Sequence, residues 1–145
     1  MYTIGVFKDV PWADRGIAAL VADGFDPTSL SLIARASDES ARLVRTHLES
    51  DPENLELPRL STVVAAGPLL ITLRGSDGAL ESEGLAGVCT RAGFQSHDGY
   101  IFERLVERGG VLVAVQSVPR AADALARLHA YGGGNAAIGV WSGRV

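Results

Sequence analysis

An α+β fold is predicted for this chain, a ferredoxin-like sandwich of two β-α-β halves with a helical insert between them. Three observations predict it. The two ends of the chain match one another, each end places a helical pattern between strand-like runs, and the middle does not continue that alternation. Laying Val10-Pro11 on Val118-Pro119 brings Ala13, Ala18, Leu20, Ala22 and Gly24 onto Ala121, Ala126, Leu128, Ala130 and Gly132. Internal self-similarity of this kind marks a duplicated unit. The halves are residues 1–35 and 110–145, the insert is 36–109, and together they make one domain.

In the first half, residues 3–7 form an apolar run that lies near 111–115 of the second, and Leu30 and Leu32 fall on Ile138 and Val140 with alternate residues small or polar. Both flanks are expected to be strands. Each helix starts alike, with Asp9 or Ser117 available as a cap and a proline close behind, where its missing N–H breaks no bond. Trp12, Ala13, Ile17, Leu20 and Val21 recur at three- and four-residue intervals, as do Ala121, Ala124, Leu125 and Leu128. Each helix therefore packs one face on a sheet. Gly24 and the run Gly132-Gly133-Gly134 are helix stops that tolerate positive φ.

Two such units with their helices on one face of the sheet give the ferredoxin-like arrangement, with a pseudo-twofold axis between the halves. Parallel Rossmann-type winding is the rival, but it requires strands and helices to alternate throughout. The insert begins with the charged segment 36–59, which contains Asp51-Pro52 and Leu57-Pro58 and at most a helix over 40–48; a tether or lid is expected. Residues 63–73 fit strand or helix, and their β-branched content favours an extended run. Two short helices over 79–92 and 97–108, separated by Gly93-Phe94 and closed by Gly109-Gly110, make an αα-hairpin into the third strand.

Composition narrows the function classes. The chain has 145 residues, 47% of them hydrophobic and 21% charged, which suits one packed domain. A net charge of −4 with scattered arginines offers no field for nucleic acid. The longest apolar stretch, 60–73, is interrupted by Gly67-Pro68 and falls short of the roughly 20 residues of a membrane span. The lone Cys89 makes no intramolecular disulfide and the N-terminus lacks a signal-peptide pattern, so a cytoplasmic protein is expected.

The stretch Ala66-Gly67-Pro68-Leu69, then Gly84-Leu85-Ala86-Gly87, Gly93-Phe94, Tyr100, Glu103 and Gly109-Gly110-Val111-Leu112-Val113-Ala114-Val115 resembles the bacterial general stress protein domain family. Gly5-Val6-Phe7 and Ala22-Asp23-Gly24-Phe25 are similar too. The likeness covers most of the chain except 36–59. It implies a stress-associated role and brings no catalytic residues, and the Gly-rich apolar centre of many members is reduced here to 63–73.

Cys89 shares a helical stripe with Leu85, Val88 and Ala92, the usual setting of a small buried hydrophobe; a redox thiol would need a nearby cation or helix start. His47, His97 and His129 show no ligand spacing, so neither a metal nor a cofactor is indicated. Asp98 is expected to cap a helix, with His97 exposed beside it. Histidine is the residue type suited to a general base near neutral pH, and Ser96 and Tyr100 stand near His97 in sequence, but no nucleophile is identified beside it. Gly132-Gly133-Gly134-Asn135 follows a helix and lacks the Lys-Ser/Thr of a phosphate loop, so it reads as a turn. Ser117 and Arg120, at the last helix start, offer a place for a small anion. Trp12 and Trp141 are expected in the core or at an interface.

Three function classes follow. The first is a non-catalytic stress or interaction protein working as a homodimer, because an open sheet face needs cover from the insert or a second chain. The second is a small-molecule-binding regulatory module, its ligand lying between the open sheet face and the αα-hairpin and enclosed by Tyr100, Phe102 or Trp141, with His97, Ser117 and Arg120 as further candidate ligand residues. The third, an enzyme using Cys89 or His97, lacks a paired acid, base or nucleophile at informative spacing.

Overall fold

Strand β1 (Tyr2–Phe7) and helix α1 (Val10–Ala22) begin the chain as the first half predicts. The Asp9 carboxylate accepts the Trp12 N–H at 3.0 Å, and Pro11 occupies the first helical turn. Gly24, at φ 91°, ends the helix in the left-handed region that glycine enters without strain. A 3-10 turn (Pro27–Ser29) then delivers β2 (Leu30–Arg35). The computed structural model describes residues 2–116, 119–132 and 140–142, with residue 132 and the last stretch given as backbone alone.

The insert departs from expectation at two places. Residues 36–59 are not a tether or lid: α2 (Asp38–Leu43) continues into a π-helical turn (Val44–Leu48), and β3 (Glu53–Leu57) follows. Leu43, Val44, Leu48, Leu55 and Leu57 are all buried, so the charges of this segment lie between anchors to the core. Nor is 63–73 extended throughout. Strand β4 (Ser61–Ala66) stops at Gly67, whose φ of 103° only glycine adopts readily, and Pro68 opens α3 (Pro68–Arg74). A Cβ on Gly67 would stand 2.3 Å from the Leu30 carbonyl oxygen, so the turn also depends on close backbone approach.

Helices α4 (Ala79–Glu83) and α5 (Leu85–Val88) are split by Gly84, and a 3-10 turn (Cys89–Ala92) completes the first arm of the hairpin. The second arm is α6 (Ser96–Glu107). Gln95 occupies its cap position, so Asp98 is not the cap; it lies in the first turn, where a carboxylate complements the helix dipole. Strand β5 (Val111–Gln116), helix α7 (Ala121–Gly132) and strand β6 (Val140–Ser142) complete the order. Ser117 and residues 133–135 of the glycine run lie outside the described residues.

The sheet is α+β in character, and every described ladder is antiparallel, in the order β3-β4-β2-β5-β1-β6. This excludes the parallel Rossmann-type rival for the described strands. Nor is it a simple ferredoxin-like order, because the β3–β4 hairpin extends the sheet beyond β2. The central ladder pairs Gly5 with Val113, and the flanking ladders pair Gly5 with Val140 and Val113 with Leu32.

Side chains alternate across the sheet, and both faces are covered. Phe7, Leu30, Leu32, Ala34, Val111, Val113 and Val115 pack against α1, α2 and α7. Tyr2, Ile4, Val6, Ile33, Leu112 and Ala114 pack against α3 to α6. Of the two covers expected for the second sheet face, the insert or a second chain, the structure shows the insert, and no open face is left between the sheet and the αα-hairpin. The physical reason lies in the strands, since Tyr2–Phe7 is buried along its whole length and Val111–Val115 is apolar without alternation, the mark of two-sided burial.

Candidate functional site

Amphipathic periodicity shapes α6, the one long helix of the insert layer. Phe102, Leu105 and Val106 turn inward, and the Phe102 ring meets Phe94 edge-on at 5.4 Å between centroids. Gly99 lets α6 lie close on α5, because a Cβ there would stand 2.8 Å from the Ala86 carbonyl oxygen. With that face committed, His97, Tyr100, Arg104 and Glu107, at spacings of three, four and three, form an exposed outer stripe. Tyr100 is 66% exposed, unusual for a large aromatic side chain.

One buried charge anchors the stripe. Glu103, 5% exposed, accepts the Ala86 N–H at 3.1 Å through Oε2. Arg59 donates to both carboxylate oxygens, Nε to Oε1 and Nη2 to Oε2, the latter at 3.3 Å. Arg59 sits in the β3–β4 turn at φ 68°, which aims its side chain across the insert at α6. Its hydrogen bonds to Glu103 and the Glu103 charge raise its pKa. A buried carboxylate paired and hydrogen-bonded in this way is stable where an isolated one would not be.

Arg59, His97, Tyr100, Ile101, Glu103, Arg104 and Glu107 together line a shallow, open depression of about 480 Å³. Among the described residues, His97, Arg104 and Glu107 have no ion-pair partner, while Arg59 is held by Glu103. The surface thus presents an aromatic ring, two cationic guanidinium groups and a carboxylate to solvent. Such mixtures of Tyr and Arg are typical of protein contact surfaces.

Among the described residues, the structure brings together two of the ligand residues predicted from sequence, His97 and Tyr100. Phe102 is a core residue, fully buried, so it cannot line an accessible site. The predicted location is itself filled, since the αα-hairpin packs directly on the sheet face that was to hold a ligand. Arg120 lies on the opposite helical layer. It donates to the Asp23 carbonyl at 2.9 Å and carboxylate at 3.0 Å, to Asp123 at 3.3 Å, and stands over the Phe25 ring at 4.1 Å, so acids at hand already occupy its charge. Ser117 lies outside the described residues, and Trp141 is placed by backbone alone, opposite Ile4.

Cys89 is 2% exposed, and burial, helped by the negative charges of Glu103 and Asp98, pushes its thiol up to about 12. That is the reverse of the activation a redox or nucleophilic thiol needs. Arg91 is turned away to a bidentate pair with Asp77, at 2.9 and 2.8 Å. His47 bonds Asp14 at 2.6 Å and ties the π-helical turn to α1. Trp12 is partly buried, its ring flanked by Arg15 at 4.9 Å.

Sequence reasoning missed Arg59, Arg104 and Glu107. The last two were legible as a polar stripe in phase with His97 and Tyr100, opposite Phe102 and Val106. Arg59 carried no such signal, because only tertiary folding brings it to α6. No family model matches the chain, and comparison with curated proteins and with solved structures finds no match either.

Proposed function

We propose that this chain is a non-catalytic, stress-associated interaction protein of the bacterial cytoplasm that acts as a homo-oligomer. The observation that carries the interaction role is the outer stripe of α6, where Tyr100 stands exposed among His97, Arg104 and Glu107 with Arg59 fixed beside it. The non-catalytic part is supported by Cys89, whose burial and raised pKa oppose nucleophilic chemistry. The stress association rests on the resemblance of the 66–69, 84–87 and 109–115 motifs to the general stress protein family. The lone, buried cysteine suits a reducing compartment, and among the described residues no helix is long and apolar enough to cross a membrane.

The underlying architecture is a ferredoxin-like core with an added edge hairpin. Its support is the inner strand order β2-β5-β1-β6 and the symmetry of the register. The sequence repeat equates Gly5 with Val113 and Leu32 with Val140. Gly5 pairs with Val113, and the Gly5–Val140 pair is matched by Val113–Leu32, as a pseudo-twofold axis through the central ladder requires.

Sedimentation velocity of the full chain over a range of concentrations tests the oligomer. A reversible shift to larger species that Tyr100→Ala weakens is expected, and a monomer at every concentration would overturn it. A small-molecule-binding role is the second reading, favoured by the depression that His97 and Tyr100 share. A metabolite-sized mass retained in native mass spectrometry, and lost in Tyr100→Ala, would put that reading first.

A further inference from the structure

Resting on the homo-oligomer reading, we infer that α6 pairs antiparallel with α6 of a second copy about a twofold axis at the level of Phe102. The spacing of the outer stripe makes it self-complementary. His97 and Glu107 each lie five residues from Phe102, and Tyr100 and Arg104 each lie two. Two antiparallel copies therefore set His97 level with Glu107 of the second copy, and Tyr100 level with its Arg104. Twofold symmetry then repeats both contacts, as an isologous interface requires.

The chemistry of the matched residues agrees with that register. A guanidinium over a tyrosine ring is attractive, and an imidazole opposite a carboxylate is a hydrogen-bond donor facing an acceptor, charged when protonated. Ser96 and Arg108, each six residues from Phe102, extend the match by one more pair. A parallel arrangement would instead set Arg104 against Arg104 and Glu107 against Glu107, like charges directly opposed. An antiparallel register displaced toward the C-terminus pairs Arg104 with Glu107 but leaves Tyr100 and His97 beyond the partner helix. Only the register centred on Phe102 engages the whole stripe.

The inward face of α6 is already committed to Phe94 and the sheet, so pairing leaves the core unchanged. Arg59, held by Glu103, stands at the margin of the stripe as a fixed cation. A 12-residue helix is about 18 Å long, which puts such a contact at the small end of interface sizes and predicts a reversible, concentration-dependent dimer.

Disulfide trapping between two exposed positions tests the register. His97→Cys is made in the full chain and Glu107→Cys in a copy of distinguishable mass, while native Cys89, 2% exposed, stays out of the exchange. Within a homodimer of either variant the two new cysteines lie about 15 Å apart along the helix axis, too far to bridge, whereas in the mixed dimer they are level. Mild oxidation of the mixture is expected to give the mixed disulfide, and neither variant alone is expected to crosslink. Crosslinking of either variant alone, or no mixed product while wild-type protein sediments as a dimer, overturns the register and leaves the homo-oligomer standing. A wild-type monomer at every concentration overturns both.

Discussion

On one face of the sheet α1 and α7 lie as helices of 13 and 12 residues with the 6-residue α2 beside them, while the other face is covered by α3, α4 and α5, of 7, 5 and 4 residues, with α6 alone of comparable length to α1 and α7. Helices that short do not persist on local propensity. They are held by particular tertiary ties: the backbone approach at Gly67, the Glu103 carboxylate on Ala86 and Arg59, and Arg74 bridging Glu53 and Glu81. The α1–α7 layer is organised locally, by the Asp9 cap and apolar periodicity, and then joined by Asp23, which receives both Arg120 and Arg127. One layer follows from sequence patterns along the chain, whereas the other depends on contacts between distant segments.

The most damaging single change is expected at the hinge of the insert layer. Gly67→Ala places a side chain at φ 103° and against the Leu30 carbonyl, and should lower unfolding stability by about 3 kcal/mol in denaturant titration. A loss under 1 kcal/mol, read against about 1 for an ordinary surface cap, would mean that the Gly67 turn does not tie the insert layer to the sheet.

Glu103→Ala comes next. It leaves the buried Ala86 N–H without its acceptor and should cost about 2 kcal/mol. Cys89 reports on the same layer: in wild-type protein a thiol reagent should react only on opening, and Glu103→Ala should speed the reaction. Equal labelling rates in the two proteins would show that Glu103 does not hold α5 against α6.

Asp9→Ala acts on the other layer. Loss of the α1 cap should cost about 1 kcal/mol while leaving Cys89 labelling unchanged, which separates the layers experimentally. Faster labelling in this variant would show that the two layers open together.

The smallest effect is set by pH. The Arg91 guanidinium holds the Asp77 carboxyl down at about 2, against an ordinary 3.8. A lowered folded-state pKa contributes stability that is whole above 3.8 and is lost as pH falls toward 2. Asp77→Asn should therefore flatten acid denaturation slightly between those values and leave the neutral-pH midpoint nearly unchanged. The group is exposed, so a large shift at neutral pH would contradict a surface pair.

Legibility differed between segments for physical reasons. Asp9, Pro11, Gly24 and the apolar spacing of α1 act within one turn of the chain, and each did in the structure what its type suggests. The register of β3 with β4 did not announce itself, because Leu55 and Leu57 stand among Glu53, Asn54 and Glu56 in a segment whose charge suggested solvent. Two-sided burial was written in Val111–Val115, whereas which cover the second face would take, the insert or a second chain, was not. Of the site, His97 and Tyr100 were legible and Arg59 was not.

By itself, then, the sequence determined the β-α-β order at each end of the chain, the start and stop of α1, and the burial of Cys89, because caps, prolines, glycines and periodicity act through neighbours in the chain. Only the tertiary structure decided that the insert, and not a second chain, closes the second sheet face and that Arg59 crosses to Glu103. Those outcomes depend on which distant surfaces meet, and burial of a charge such as Glu103 is stable only once its partner has arrived from elsewhere in the chain.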